Sequence, residues 1–309
     1  MLARLASATL RGLDAEAVDV EIHLSRGLPR WSMVGLANAS VREAQDRVRS
    51  ALMNSGFEFP LAHITVNFAP ADQRKEGSHF DLPVAMGLLL ASGQLPRGED
   101  AAALPFMVGE LALDGRLNPI AGVLPLLLFA QREGFTSVIV PAGNADEAGL
   151  LEGLDVLPAN SLLQVAQHLL GEHCLSPHVA DTSVVTAVET THPDMRDIRG
   201  QQQARRALEI AAAGSHHLLM SGPPGVGKSM LAMRFPSILP PLSMASRLEV
   251  ARIYSIASDP HRSPVSATPP FRSPHHSASD IALIGGGCQK QNKAVPNRNG
   301  WNYSNPVCL

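Results

Sequence analysis

Aromatic side chains are scarce in this chain, 4% of 309 residues with two tryptophans and two tyrosines. Ala and Leu dominate instead, a composition that suits an α/β protein rich in helices and speaks against an all-β one. Cysteine is almost missing: Cys174, Cys288 and Cys308 lie far apart with no C-x-x-C or Cys/His metal spacing. That excludes a disulfide framework and a structural zinc site, and it fits a reducing compartment. No apolar run reaches the ~18 residues of a membrane span, and the start Met-Leu-Ala-Arg has no apolar core of a secretory leader. The sequence therefore predicts a cytoplasmic protein with no membrane partner. A formal charge of −3 is too small to decide for or against nucleic acid. What is present is length for about two domains and 45% hydrophobic residues to fill their cores.

One motif stands out. Gly222, Pro223, Pro224, Gly225, Val226, Gly227, Lys228 and Ser229 fit the phosphate-cradling pattern G-x-x-x-x-G-K-[ST]. The glycines let backbone N–H groups turn inward around a phosphate, Lys228 supplies a positive charge, and the Ser229 hydroxyl is a ligand for Mg²⁺ carried with the nucleotide. His217–Met220 reads as a short buried strand feeding the loop, and Ser229–Phe235 as the helix whose positive end faces the phosphates. ATP and Mg²⁺ are the expected cofactors.

The front of the chain alternates strands and helices. Ala17–Leu24 and His63–Phe68 alternate apolar and polar residues, as half-buried strands do. Ser40-Val-Arg-Glu43 reads as a capping box opening a helix that stops at Gly56. Leu82–Ala91, Gly122–Glu133 and Leu162–Leu170 read as helices, Ser137–Val140 as a strand, and Phe106–Leu113 as a strand turning at Asp114-Gly115. Residues 173–193 have no period and read as a linker. Helices follow at Gln201–Ala213 and Ser246–Ala257, then a Pro- and Ser-rich loop to His276. Residues 288–309 hold five asparagines and no acidic residue, and read as a separate, disordered tail. His216-His217 and His275-His276 lack carboxylate or thiolate partners, so no further metal site is assigned. Arg205 and Arg206 read as a solvated or subunit-facing surface.

Longer stretches carry a family resemblance. Asp197–Gly214 running into the phosphate loop, Pro270–Ser277 and Gly285–Gly287 resemble the AAA+ module of the YifB/ComM family, the magnesium chelatase-like proteins. Asn67–Pro83 and Gly109–Leu117 resemble that family's N-terminal domain, similar in fold to the proteolytic domain of Lon and to ribosomal S5 domain 2. The resemblance implies an α/β chain with four parts: a Lon-like domain over residues 1–172, the linker, the N-terminal part of an AAA+ domain over 194–287, and the tail. It also implies a homo-oligomeric ring, hexameric in intact relatives, that binds ATP and acts on DNA in recombination. A chelatase-type ATPase subunit and a Lon-like protease are the alternatives.

Two departures from the pattern bear on activity. By its resemblance to Lon, Lys75-Glu-Gly-Ser-His79 places His79 at or beside the position of the serine, and Leu126 stands where the lysine base would be, so Ser78 lacks a base. Lys75, Glu76, His79 and Asp81 are then expected as hydrogen-bonded loop and helix-start residues. Downstream of Ser229 the acidic residues are Glu249, Asp259 and Asp280, and none ends the apolar strand that a Walker B motif requires. The expectation is a C-terminally truncated member that binds ATP and is deficient in hydrolysis, with no catalytic residue assigned.

Overall fold

The computed structural model describes residues 1–96, 104–179, 193–257 and 267–271. The expected tail, the second histidine pair, Cys288 and Cys308 lie outside them. The chain divides into two compact units, Met1–Ala180 and Asp181–Leu309.

In the first unit, β1 (Leu2–Arg11) and β2 (Asp14–Ser25) form an antiparallel hairpin. Its two-residue turn starts at Gly12 with φ 63°, a left-handed conformation that tight hairpin turns require. β3 (Arg30–Val34) runs parallel to β4 (His63–Ala69), which pairs antiparallel with β2, giving the order β1-β2-β4-β3. A parallel pair needs a crossover, supplied by α1 (Ala39–Arg42) and α2 (Ala44–Asn54). The alternation read in the sequence sends Val18, Val20, Ile22, Ile64, Val66 and Phe68 into the core.

The cap of that crossover differs from the expected box. Asn38, not Ser40, accepts from the Val41 amide at 3.1 Å, while the Ser40 hydroxyl donates to the Asn38 side chain at 2.7 Å. Glu43, free of capping, sits at the junction of two helices and pairs with Arg47 at 3.7 Å. Asn is as good an N-cap as Ser, and two residues earlier it lets Val41 turn inward.

α3 (Asp81–Ser92) is buried from Asp81 to Ala91. A helix apolar all round belongs in a core, and each fully buried Leu or Met there is stabilised by roughly 2 kcal/mol relative to exposure. Gly87 sets how closely the helix approaches the sheet, because an added Cβ would lie 2.7 Å from Ile22 Cδ1 and 2.9 Å from Leu5 Cδ1.

The expected strand Phe106–Leu113 is two short ones, β5 (Phe106–Met107) and β6 (Glu110–Leu111). The break has a cause: Gly109 donates its amide to His79 O at 3.1 Å and accepts from the Leu82 amide at 3.1 Å. That commits its backbone to the start of α3 rather than to a ladder. β6 pairs with β7 (Leu117–Asn118) as the predicted hairpin. α4 (Val123–Arg132), β8 (Ser137–Pro141), α5 (Ala145–Ala148) and β9 (Asp155–Ala159) complete a parallel sheet of order β5-β8-β9. α6 (Leu162–Leu170) follows, capped by Ser161 and ended by Gly171 in the left-handed region.

The described part of the second unit contains α7 (Gln202–Gly214), α8 (Lys228–Arg234) and α9 (Met244–Ala257). Leu208, Ala211, Leu231 and Phe235 form its small core, joined by Met195 and Ile198. His217–Met220 forms no strand among the described residues, correcting the sequence expectation. Leu218 and Met220 pack on the core while Leu219 is 93% exposed. The alternation of a strand is therefore present, but no described strand lies alongside to supply a ladder. Both His216 and His217 are consequently exposed rather than buried.

Among the described residues no helix is long and apolar enough to cross a membrane. No group of three potential metal ligands occurs among them either.

Candidate functional site

The loop Gly222–Ser229 lies on the surface of the second unit, with Gly222–Val226 exposed and Gly227 and Lys228 half-buried. Gly225 (φ 84°) and Gly227 (φ 90°) take left-handed conformations that other residues adopt only with strain. An added Cβ at Gly225 would meet nothing within 4 Å and at Gly227 only Met230 Cε at 3.4 Å, so backbone conformation rather than crowding demands glycine. α8 begins at Lys228 without a side-chain cap, leaving its first amides directed at the loop. The Lys228 ammonium donates to the carbonyls of Gly222 and Pro223, both at 2.8 Å, and so bridges the mouth of the loop. Gln201, from the residue before α7, donates to Val226 O at 3.2 Å. Ser229 is exposed in the first turn of the helix. These features fit a phosphate group with its Mg²⁺: a glycine loop, one cation and one hydroxyl lie together at a helix N-terminus.

Arg205 and Arg206 do not join this cluster. Arg205 donates to Ile198 O at 3.3 Å, and Arg206 pairs with Glu209 at 3.0 Å on the exposed face of α7.

In the first unit the region that resembles a Lon-type centre holds no serine–lysine pair among the described residues, and the one hydrogen bond of its serine hydroxyl is to a carboxylate. Ser78 donates to the Glu110 carboxylate, whose other oxygen accepts from Asn118 Nδ2 at 3.2 Å. Leu126 is fully buried. His79 is 3% exposed, with Nε2 2.8 Å from Ala8 O and the Phe80 ring 4.2 Å away. Burial pushes its pKa down to about 4, against the opposing pull of the Ala8 carbonyl. Lys75 is buried and donates to the carbonyls of Pro70 and Gln73. Burial lowers its pKa while the Asp72 charge opposes. The expected roles at the loop and helix start are thus visible for Lys75, His79 and Asp81, while Glu76 projects into solvent.

Sequence reasoning missed the polar centre of this region. Asp81, 1% exposed, accepts from Arg47 Nε at 2.6 Å and Nη2 at 3.0 Å, and from the Leu111 amide at 3.2 Å. Arg47 also donates to Ser40 O at 3.0 Å. Burial pushes the Asp81 carboxyl above its ordinary value, and the Arg47 hydrogen bonds oppose that. Arg47 in turn is raised, chiefly by its hydrogen bond to Asp81.

A pH effect follows from His79. Its folded pKa lies below the ordinary 6.5, so its contribution to stability is complete above that value and is lost as pH falls towards 4. Between pH 8 and pH 5 the loss amounts to about 2 kcal/mol. Urea unfolding at the two pH values should show it, and His79→Gln, which keeps a donor for Ala8 O, should remove about that much of the pH dependence.

Two family models match the chain, "Subunit ChlI of Mg-chelatase" over residues 20–144 and "Magnesium chelatase, subunit ChlI" over residues 194–299. YifB of Escherichia coli is 46% identical over 277 residues, 89% of this chain and 53% of that protein. Competence protein ComM of Haemophilus influenzae is 45% identical over 290 residues, 93% of this chain and 56% of that protein. Lon protease of Rhizobium meliloti is more distant, 27% identical over 170 residues, 51% of this chain and 21% of its own. The chain thus spans about half the length of the curated relatives it matches. With mixed parallel and antiparallel sheets in its first unit and this similarity along nine-tenths of its length, the chain belongs to the YifB/ComM family of magnesium chelatase-like AAA+ proteins.

Proposed function

We propose that the chain binds ATP with Mg²⁺ through Gly222–Ser229 and is the nucleotide-binding part of a ring motor that acts on DNA. The observation that carries the nucleotide reading is Lys228, at an uncapped helix start, reaching back to the Gly222 and Pro223 carbonyls over a loop that holds Gly225 and Gly227 in left-handed conformations. Lys228 would exchange the Gly222 and Pro223 carbonyls for phosphate oxygens, Ser229 would ligate Mg²⁺, and the loop amides would surround the phosphates. Bound Mg²⁺ supplies charge neutralisation of the phosphate chain. The name competence protein attached to ComM supports DNA as the substrate. The chelatase names of the matching family models favour a second reading, an ATPase whose work serves metal insertion. The Lon-like front part speaks for the first.

No Asp-Glu pair closes an apolar run in the sequence after Ser229, and we propose that this polypeptide by itself binds nucleotide without turning it over. A titration with a fluorescent ATP analogue and Mg²⁺ should saturate, with phosphate release at the rate of the protein-free control. Absence of saturation at about 1 mM, under ~4 kcal/mol of binding, would overturn the nucleotide reading. Release at about 1 s⁻¹ or faster, the range of working enzymes, would overturn the hydrolysis reading. For DNA, a labelled strand that the nucleotide-loaded intact YifB or ComM fails to bind would remove it as substrate.

A further inference from the structure

The first unit carries a groove of about 1240 Å³ between the β2–β3 turn, the C-terminal half of α2 and the loop that leads into β4. That exceeds the ~300–1,000 Å³ usual for small-molecule pockets. Its rim exposes apolar side chains, Leu61 at 86% and Met53 at 56%, with Phe57 and Phe59 along the wall. Two arginines, Arg26 and Arg49, line it with a single carboxylate, Glu58. Among the described residues neither arginine has an ion-pair partner, Glu58 included. The Arg49 guanidinium lies 5.4 Å from the centroid of the Phe59 ring, which holds it over an apolar floor without neutralising it.

Apolar surface flanked by unpaired cations suits a partner with both characters in register. We propose that this groove docks an amphipathic helix of another polypeptide, its apolar stripe on Met53, Phe57 and Leu61 and its acidic flank on Arg26 and Arg49. Such helices place anchors at i, i+3 or i+4, and i+7, and seat them in a hydrophobic groove. Single-stranded nucleic acid is the competing anionic occupant, but it needs open aromatic faces on which bases stack. Here Trp31 stacks against Phe59 at 6.1 Å with 19° between the planes, and Arg49 sits over the same ring. Of the apolar side chains left open, Met53 and Leu61 are aliphatic and Phe57 alone is aromatic, too few rings for a run of stacked bases. The groove belongs to the first unit alone, so the proposal does not rest on nucleotide binding.

The test is a selection of 16-residue peptides from a displayed random library against the full chain, with Arg26→Glu/Arg49→Glu as counter-target. Enriched sequences should carry apolar residues at helical spacing and at least two flanking acids. A representative labelled peptide should bind at least tenfold more weakly to the double variant and to Leu61→Ser, and as well to Lys228→Ala as to the parent. A twenty-residue oligothymidine should not compete. Circular dichroism confirms that each variant is folded. Enrichment of peptides without acids, no enrichment that depends on the arginines, or arginine-dependent binding of the oligonucleotide in place of the peptide would each overturn the proposal. Concentration-dependent dimerisation lost in the same double variant would assign the groove to a second copy of the chain, and overturn it as well.

Discussion

Arg47→Met should destabilise the first unit by about 3 kcal/mol at pH 7, a cost at the lower end of that for stranding one member of a buried ion pair. Asp81 is 1% exposed and keeps only the Leu111 amide once both guanidinium bonds are gone. Its partner is different in kind, since the Arg47 side chain is 21% exposed and has Glu43 within 3.7 Å. Loss of the aspartate should therefore be tolerated better than loss of the arginine. Asn in place of Asp81 keeps an acceptor for the Leu111 amide without a charge, so Arg47→Met/Asp81→Asn should recover most of the loss.

The sign of the pH dependence adds a check. Without Arg47 the main remaining influence on Asp81 is burial, which raises its folded pKa above the unfolded value. An acid so raised contributes stability that is present at low pH and lost as pH rises through the folded pKa. The deficit of Arg47→Met relative to the parent should then shrink from pH 7 to pH 5. Taking the difference between the two proteins cancels the titration of His79, which both retain. A deficit that is flat with pH would show Asp81 still charged and solvated.

How much of this was legible depended on how local each feature is. α6 is found at the bounds read from the sequence, Leu162–Leu170, and α3 within one residue of its apolar run at each end. β1 was missed because Ala, Ser and Thr alternate there with weak contrast, although Ala3, Leu5 and Ser7 turn inward. β3 and β9 were missed for similar reasons: β3 is a five-residue edge strand and β9 is interrupted by Pro158. The pattern Gly222–Ser229 was readable locally because its glycines, lysine and serine lie within eight residues, and Gly225 and Gly227 take left-handed conformations there. The Arg47–Asp81 pair, 34 residues apart, and the Ser78–Glu110 bond, 32 apart, depend on the fold bringing α2, α3 and β6 together. Neither has any local period. The segment His217–Met220 shows the converse case: its alternation is real, while no described strand lies alongside to supply a ladder.

Lys228→Ala should weaken binding of Mg²⁺-ATP about 30-fold, the size expected when one hydrogen bond between charged groups is removed. The same substitution should leave stability almost unchanged, because Lys228 makes its present bonds to two carbonyls of an exposed loop. That separation of effects distinguishes a ligand-binding lysine from a structural one, whose removal would lower the unfolding midpoint without altering affinity per folded molecule. Ser229→Ala supplies the companion measurement. Its hydroxyl is exposed in the first turn of α8, so its loss should weaken ATP binding when Mg²⁺ is present and have little effect when the metal is chelated. Gly227→Val should act by a third route, forcing a branched residue to φ 90° at a cost of about 1–3 kcal/mol. It would turn the Lys228 and Ser229 amides away from the phosphates, with or without metal. If all three variants bound the nucleotide like the parent, ATP would be held elsewhere on the chain and the loop would be only a glycine-rich turn.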